Sequence, residues 1–220
     1  MALSSIQSSI AIIILSLSMG FLTYYLLSDL AKEKKKIYME EIVGQLINFV
    51  IYIWIGKIVL NFSTFIADPL AILSYPSNSN AFYLAVLLSV VTIMIQTKRG
   101  RIDVLPFLNA FTYIFLTASF VYEFMQIIWN KNTYLIGYMG LVALLIVGFV
   151  VMRGFVSPHW LNWLVFFGWT IGSLALAVTM PIMMVFGYTM APWFLVLMLI
   201  IGCLQIVYQK KKEGAISGRN

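Results

Sequence analysis

Charge is scarce in this chain. Asp, Glu, Lys and Arg make up 10% of its 220 residues, against about 25% in a soluble domain. Apolar residues reach 62% and the mean hydropathy is +0.96, so too little polar surface exists to cover a water-facing globule of this length. A soluble enzyme is excluded. Cysteine is nearly absent as well: Cys203 stands alone, which rules out a disulfide scaffold, and its apolar surroundings read as a small packing residue. The one histidine, His159, has no cysteine or second histidine beside it, which argues against a metal centre and leaves it an interfacial polar residue. No Gly-x-Ser-x-Gly element supports a hydrolytic triad. The glycines follow no period, which excludes a collagen-like fibre, and a chain this apolar is not a disordered one. No metal and no cofactor is expected.

What is present is a series of long apolar runs. A helix needs roughly 17–25 apolar residues to cross a bilayer, and seven stretches qualify: 9–27, 42–62, 81–96, 105–129, 134–152, 160–180 and 193–208. The expected fold class is therefore all-α, a polytopic membrane protein with seven transmembrane helices. The first run is preceded by no Lys or Arg, so it reads as a retained span and not a signal peptide. No internal repeat and no Pro- or Gly-rich linker divides the chain. One membrane domain over 1–208 and a mobile basic tail over 209–220 are expected.

The basic residues set an orientation. Assigning loops alternately to the two sides puts Lys32, Lys34, Lys35, Lys36, Lys98, Arg99, Arg101, Arg153, Lys210, Lys211, Lys212 and Arg219 on one side. Those are twelve of the fourteen basic residues, and only Lys131 falls on the other side. The positive-inside rule then places the amino terminus outside and the carboxyl terminus in the cytoplasm. The net charge of +6 is thus a topology signal, with Lys98, Arg99 and Arg101 as contacts for anionic headgroups, and no nucleic-acid motif accompanies it. Trp129 and Trp193 at outer ends, with Trp160 and Trp163 near an inner end, fit aromatic belts. Asp103 and Ser157 stand where they would cap the fourth and sixth spans. The outer segment 61–80, with Pro69 and the turn-prone run from Tyr75 to Asn80, reads as a partly folded cap.

Two charges lie inside spans, where ionisable groups are expensive: Lys57 and Glu123. Lys57 has two readings, a side chain snorkelling to the outer headgroups and a cation held within the bundle for a lipid phosphate. Glu123 lies about 9 Å below the outer end of its span at 1.5 Å per residue, a depth similar to that of Lys57. The two are expected to approach each other, since pairing lowers the cost of both.

The stretch Gly56-Lys57-Ile58-Val59-Leu60-Asn61-Phe62, followed by Asp68-Pro69-Leu70, resembles the end of the second helix and the next loop of bacterial prolipoprotein diacylglyceryl transferases. Lys57 falls where that family has an Arg. Thr97-Lys98-Arg99 with Asp103 and Pro106 is similar to the family's basic loop and fourth-helix entry, and Gly187-Tyr188-Thr189-Met190 is similar to the turn before its closing helix. The family's seven spans, amino terminus outside, agree with the topology from charge.

The chain departs from the family at its chemistry. Counting on from Asp68-Pro69-Leu70, Tyr83 stands at the motif histidine, and Leu84 and Ala85 stand at its glycines. Leu116-Thr117-Ala118-Ser119-Phe120 replaces the Gly-Arg-x-Gly-Asn-Phe signature, with a displaced Glu123 beyond it. Phe167-Gly168-Trp169-Thr170-Ile171 lacks the family's Arg and Glu. The resemblance implies a bacterial plasma-membrane protein that binds phospholipid or lipoprotein precursors at a degenerate site. Lys57, Asp68, Tyr83 and Glu123 are the lipid-binding candidates, and anionic phospholipid such as phosphatidylglycerol is the partner. The alternatives are an active diacylglyceryl transferase with substituted catalytic groups, and a small transporter or assembly partner. No catalytic residue is assigned.

Overall fold

The computed structural model describes residues 2–70, 72, 78–130 and 136–217, with side chains over 9–206 of that range. The expected turn at Tyr75-Pro76-Ser77, Lys131 and Arg219 lie outside the described residues. Among the described residues eight helices follow in order: α1 (Ala2–Leu27), α2 (Lys32–Leu60), α3 (Phe62–Ala67), α4 (Ser79–Lys98), α5 (Val104–Asn130), α6 (Ile136–Met152), α7 (Pro158–Thr179) and α8 (Pro192–Ser217). The strands β1 (Met184–Val185) and β2 (Tyr188–Thr189) form a short hairpin between α7 and α8.

The chain is an all-α membrane protein. Five helices, α1, α2, α4, α5 and α7, are long and apolar enough to cross a bilayer, while α6 and the apolar part of α8 (Pro192–Ile206) are shorter. Large apolar side chains cover the outside of the bundle, among them Leu26, Ile66, Leu144 and Val178, each about two-thirds exposed or more. In water that surface would be costly; against hydrocarbon it is the expected boundary.

At the centre is α5, which touches α1, α2, α6 and α7. The buried share of its most apolar stretch is 44%, against 22% in the other four long helices. Its pairing with α1 is close because Gly20 has no side chain: a Cβ there would stand 2.7 Å from the Ile114 carbonyl oxygen. A separate pair, α2 with α4, leans on α5 through α2, and α6, α7 and α8 continue round in sequence.

Several helix ends differ from the sequence expectation for local reasons. Helix α2 starts at Lys32, well before the apolar run, because Lys and Glu are good helix formers and Lys36–Glu40 forms an i,i+4 pair at 3.8 Å. Helix α4 is a full 20 residues, its start held by Asn78 Oδ1, which accepts from Ala81 N–H at 2.9 Å. Helix α8 continues to Ser217, so the tail expected from 209 begins as helix. Ser157 takes the cap position of α7 without a side-chain cap bond; Pro158 opens that helix by its fixed φ. Cys203 is exposed on α8 and is not a core packing residue.

The ends that carry the basic residues meet. Arg153 Nη1, just past α6, donates to the Leu27 carbonyl at the end of α1 (2.7 Å) and to the Tyr113 hydroxyl of α5 (3.2 Å). A cation at a helix C-terminus is favoured by the macrodipole. Lys35 Nζ likewise donates to the Tyr25 carbonyl at 2.8 Å, and Asp103 faces Tyr38 and Glu41 of α2.

Candidate functional site

Lys57 occupies the last turn of α2, where the free carbonyls favour a cation. Its own carbonyl accepts from the Asn61 backbone N–H at 3.1 Å and from Asn61 Nδ2 at 2.9 Å, so the helix end is closed without the ammonium. Gly56 lets α4 come close: a Cβ there would lie 3.0 Å from the Ala81 oxygen. The Lys57 side chain is only 6% exposed, and Nζ stands 5.0 Å from the centre of the Trp54 ring, a cation–π distance. It is buried in protein, not extended along the outer surface. Among the described residues no carboxylate lies within 4 Å of it.

Glu123 is fully buried in α5, and among the described residues neither carboxylate oxygen has a hydrogen-bond partner. The expected ion pair with Lys57 is therefore not formed. Lys57 stands over Trp54 of its own helix, whereas Glu123 is set toward Tyr138 of α6. Facing Glu123 are Tyr138 of α6 and its own neighbour Tyr122. The Tyr138 hydroxyl accepts from Trp169 Nε1 of α7 at 2.9 Å and faces Ser119, whose Oγ makes no well-formed hydrogen bond. Ser119 is one turn before Glu123 on the same face of α5. Ser173 of α7 is a third fully buried, unpartnered oxygen. It lies one turn beyond Trp169 on α7, the residue that bonds Tyr138 and packs on Phe115 of α5.

Tyr83 is engaged elsewhere. Its hydroxyl donates to the Thr189 carbonyl at 2.6 Å and accepts from Ala191 N–H at 2.9 Å, and its ring stacks on Phe194 at 4.2 Å. It ties α4 to the hairpin and to the start of α8. Sequence reading missed that hairpin. Its turn is Phe186-Gly187, both with positive φ (50° and 83°), the geometry of a two-residue hairpin loop. Phe186 is held in that rare conformation by packing on Phe115 and Tyr122. An apolar–Gly pair lacks the usual Asn-Gly signal, but Gly187 between apolar pairs was the available clue.

Asp68 closes α3 and its Oδ1 accepts from Leu70 N–H at 3.0 Å, an Asx turn. Lys98, Arg99 and Arg101 are exposed where α4 ends. Arg101 N–H bonds the Gln96 carbonyl and Gly100 N–H the Thr97 carbonyl, a Schellman closure that projects the three cations from the bundle end. His159 is half-buried between Trp160 and Trp163. The structure thus gathers none of the sequence-selected groups into one cluster. Lys57 and Glu123 head separate centres, while Tyr83 and Asp68 serve hairpin and loop. Among the described residues no group of three His, Cys, Asp or Glu side chains is placed to hold a metal. No protein-family model, no curated protein and no solved structure matches the chain.

Proposed function

We propose that this chain is a seven-span protein of the bacterial plasma membrane, outside at its N-terminal end, that binds anionic phospholipid through Lys57. The observation that carries the reading is a buried ammonium with an aromatic ring on one side and, among the described residues, no carboxylate within 4 Å. A buried cation is stable only when an anion or strong acceptors complete it, and a headgroup phosphate at the end of α2 supplies that charge. The resemblance around Gly56 to Leu70 points the same way, since the family it is similar to handles phosphatidylglycerol. Seven crossings agree with α6: its 17 residues span about 26 Å at 1.5 Å each, close to the roughly 30 Å hydrocarbon thickness. The Arg153–Leu27 contact agrees with the orientation, because it brings two basic loops to one end.

The chain purified in mild detergent from bacterial membranes should retain about one anionic phospholipid, measured by lipid extraction and phosphorus content. Lys57→Glu should lose it and Lys57→Gln should weaken it. Equal lipid in wild type and Lys57→Glu refutes the reading. Thioether product from a lipobox peptide and phosphatidylglycerol would replace it with the transferase alternative.

A further inference from the structure

We propose that Glu123, Ser119, Tyr138 and Ser173 form a binding site for a monovalent inorganic cation where α5, α6 and α7 meet. Four observations combine. Both Glu123 oxygens are buried and unpartnered. Ser173 of α7 adds a buried hydroxyl without a partner among the described residues, and Ser119 of α5, one turn before Glu123, adds a buried hydroxyl that faces Tyr138. The Tyr138 hydroxyl, from α6, accepts from Trp169 and faces Ser119 and Glu123, which sets its oxygen beside the carboxylate. No positive side chain competes among the described residues: α1 is without any ionisable residue from Ser9 to Phe21, α6 has only Tyr138, and His159 lies at the far end of α7.

A buried carboxylate with neither oxygen partnered is costly in a low-dielectric interior, and hydroxyls from α5, α6 and α7 stand around this one. Hard cations take oxygen ligands, carboxylate and hydroxyl among them. The charge count selects the valence. One carboxylate among neutral hydroxyls cancels one positive charge, whereas a divalent ion would leave a net charge at membrane depth. Sodium and potassium share this chemistry, and the measurement tells them apart.

The full chain in detergent is melted in NaCl, KCl or choline chloride at equal ionic strength, followed by tryptophan fluorescence. A bound ion stabilises by mass action, so the midpoint should rise and saturate with sodium or potassium but stay flat with choline. Glu123→Gln should abolish the rise. Ser173→Ala, which disturbs packing least, should raise the half-saturating concentration by roughly tenfold, the loss of one hydrogen-bond-strength contact to a charge. Should Glu123→Gln fail to fold, Ser173→Ala and Ser119→Ala carry the test by that shift. Identical melts in all three salts, a response to pH with none to sodium or potassium, or unshifted curves in both serine variants would overturn the proposal.

Discussion

Two buried tyrosines, each near the start of a helix, sit in opposite polar surroundings. Around Tyr83 the polar atoms are matched: one hydroxyl gives and receives, and it closes two backbone groups of the hairpin and α8 at once. Around Tyr138 the hydroxyl is matched to Trp169, yet neither oxygen of Glu123 beside it is matched among the described residues, nor is Ser173 one turn beyond Trp169. A protein interior that satisfies its polar groups is a fastening. One that leaves a carboxylate unsatisfied where helices meet is poised to receive something from outside the chain. The difference separates structure from function in a bundle where every helix looks apolar.

The comparison breaks most visibly at Tyr83. Tyr83→Phe keeps the ring stack on Phe194 but leaves the Thr189 carbonyl and the Ala191 N–H without a partner. Both bonds are part-buried and Thr189 is exposed, so water takes over part of what is lost and a cost of about 1–3 kcal/mol is expected in a reversible detergent-denaturation titration. Lipid content and cation response should persist under native conditions. A variant as stable as wild type would mean that the latch does not hold the hairpin.

A smaller effect is expected at the turn itself. Gly187 adopts a φ of 83°, and a Cβ there would stand 3.0 Å from the Tyr122 hydroxyl, itself held by Gln126 Nε2 at 3.0 Å. Gly187→Ala should cost about 1–2 kcal/mol from the left-handed backbone, measured in the same titration. Because Tyr122 also flanks Glu123, this substitution should perturb the cation response slightly, whereas Tyr83→Phe should not.

Hydropathy made most of the helices legible in the sequence, because an apolar run long enough for a bilayer has few other uses. It left their ends and faces open. The charged first turns of α2 extended a helix that hydropathy alone would start later. Scarcity of charge singled out Lys57 and Glu123, and both are buried. Whether they meet depends on the rotation of each helix about its axis, and a helix apolar on every side carries no stripe from which to read that rotation. Ser119 and Ser173 were missed because single hydroxyls are ordinary in apolar helices, although the four-residue spacing of Ser119 and Glu123 places them on one face. Tyr83 was selected as a stand-in for a histidine, and only the three-dimensional path of the hairpin shows its hydroxyl already engaged at both lone pair and proton.

The smallest effect has the opposite sign. At alkaline pH, where the carboxyl has lost its proton, Glu123→Gln removes a charge buried without a partner while keeping nearly the same shape. Much of the polar desolvation stays, since an amide also wants hydrogen bonds, so the gain should be modest, about 1 kcal/mol of added stability in choline chloride. The sign is what matters, because a fastening loses stability when it is altered and a receiving site gains it while losing its ligand. If Glu123→Gln instead destabilises the chain in choline chloride by as much as Tyr83→Phe does, then Glu123 fastens the bundle as Tyr83 does.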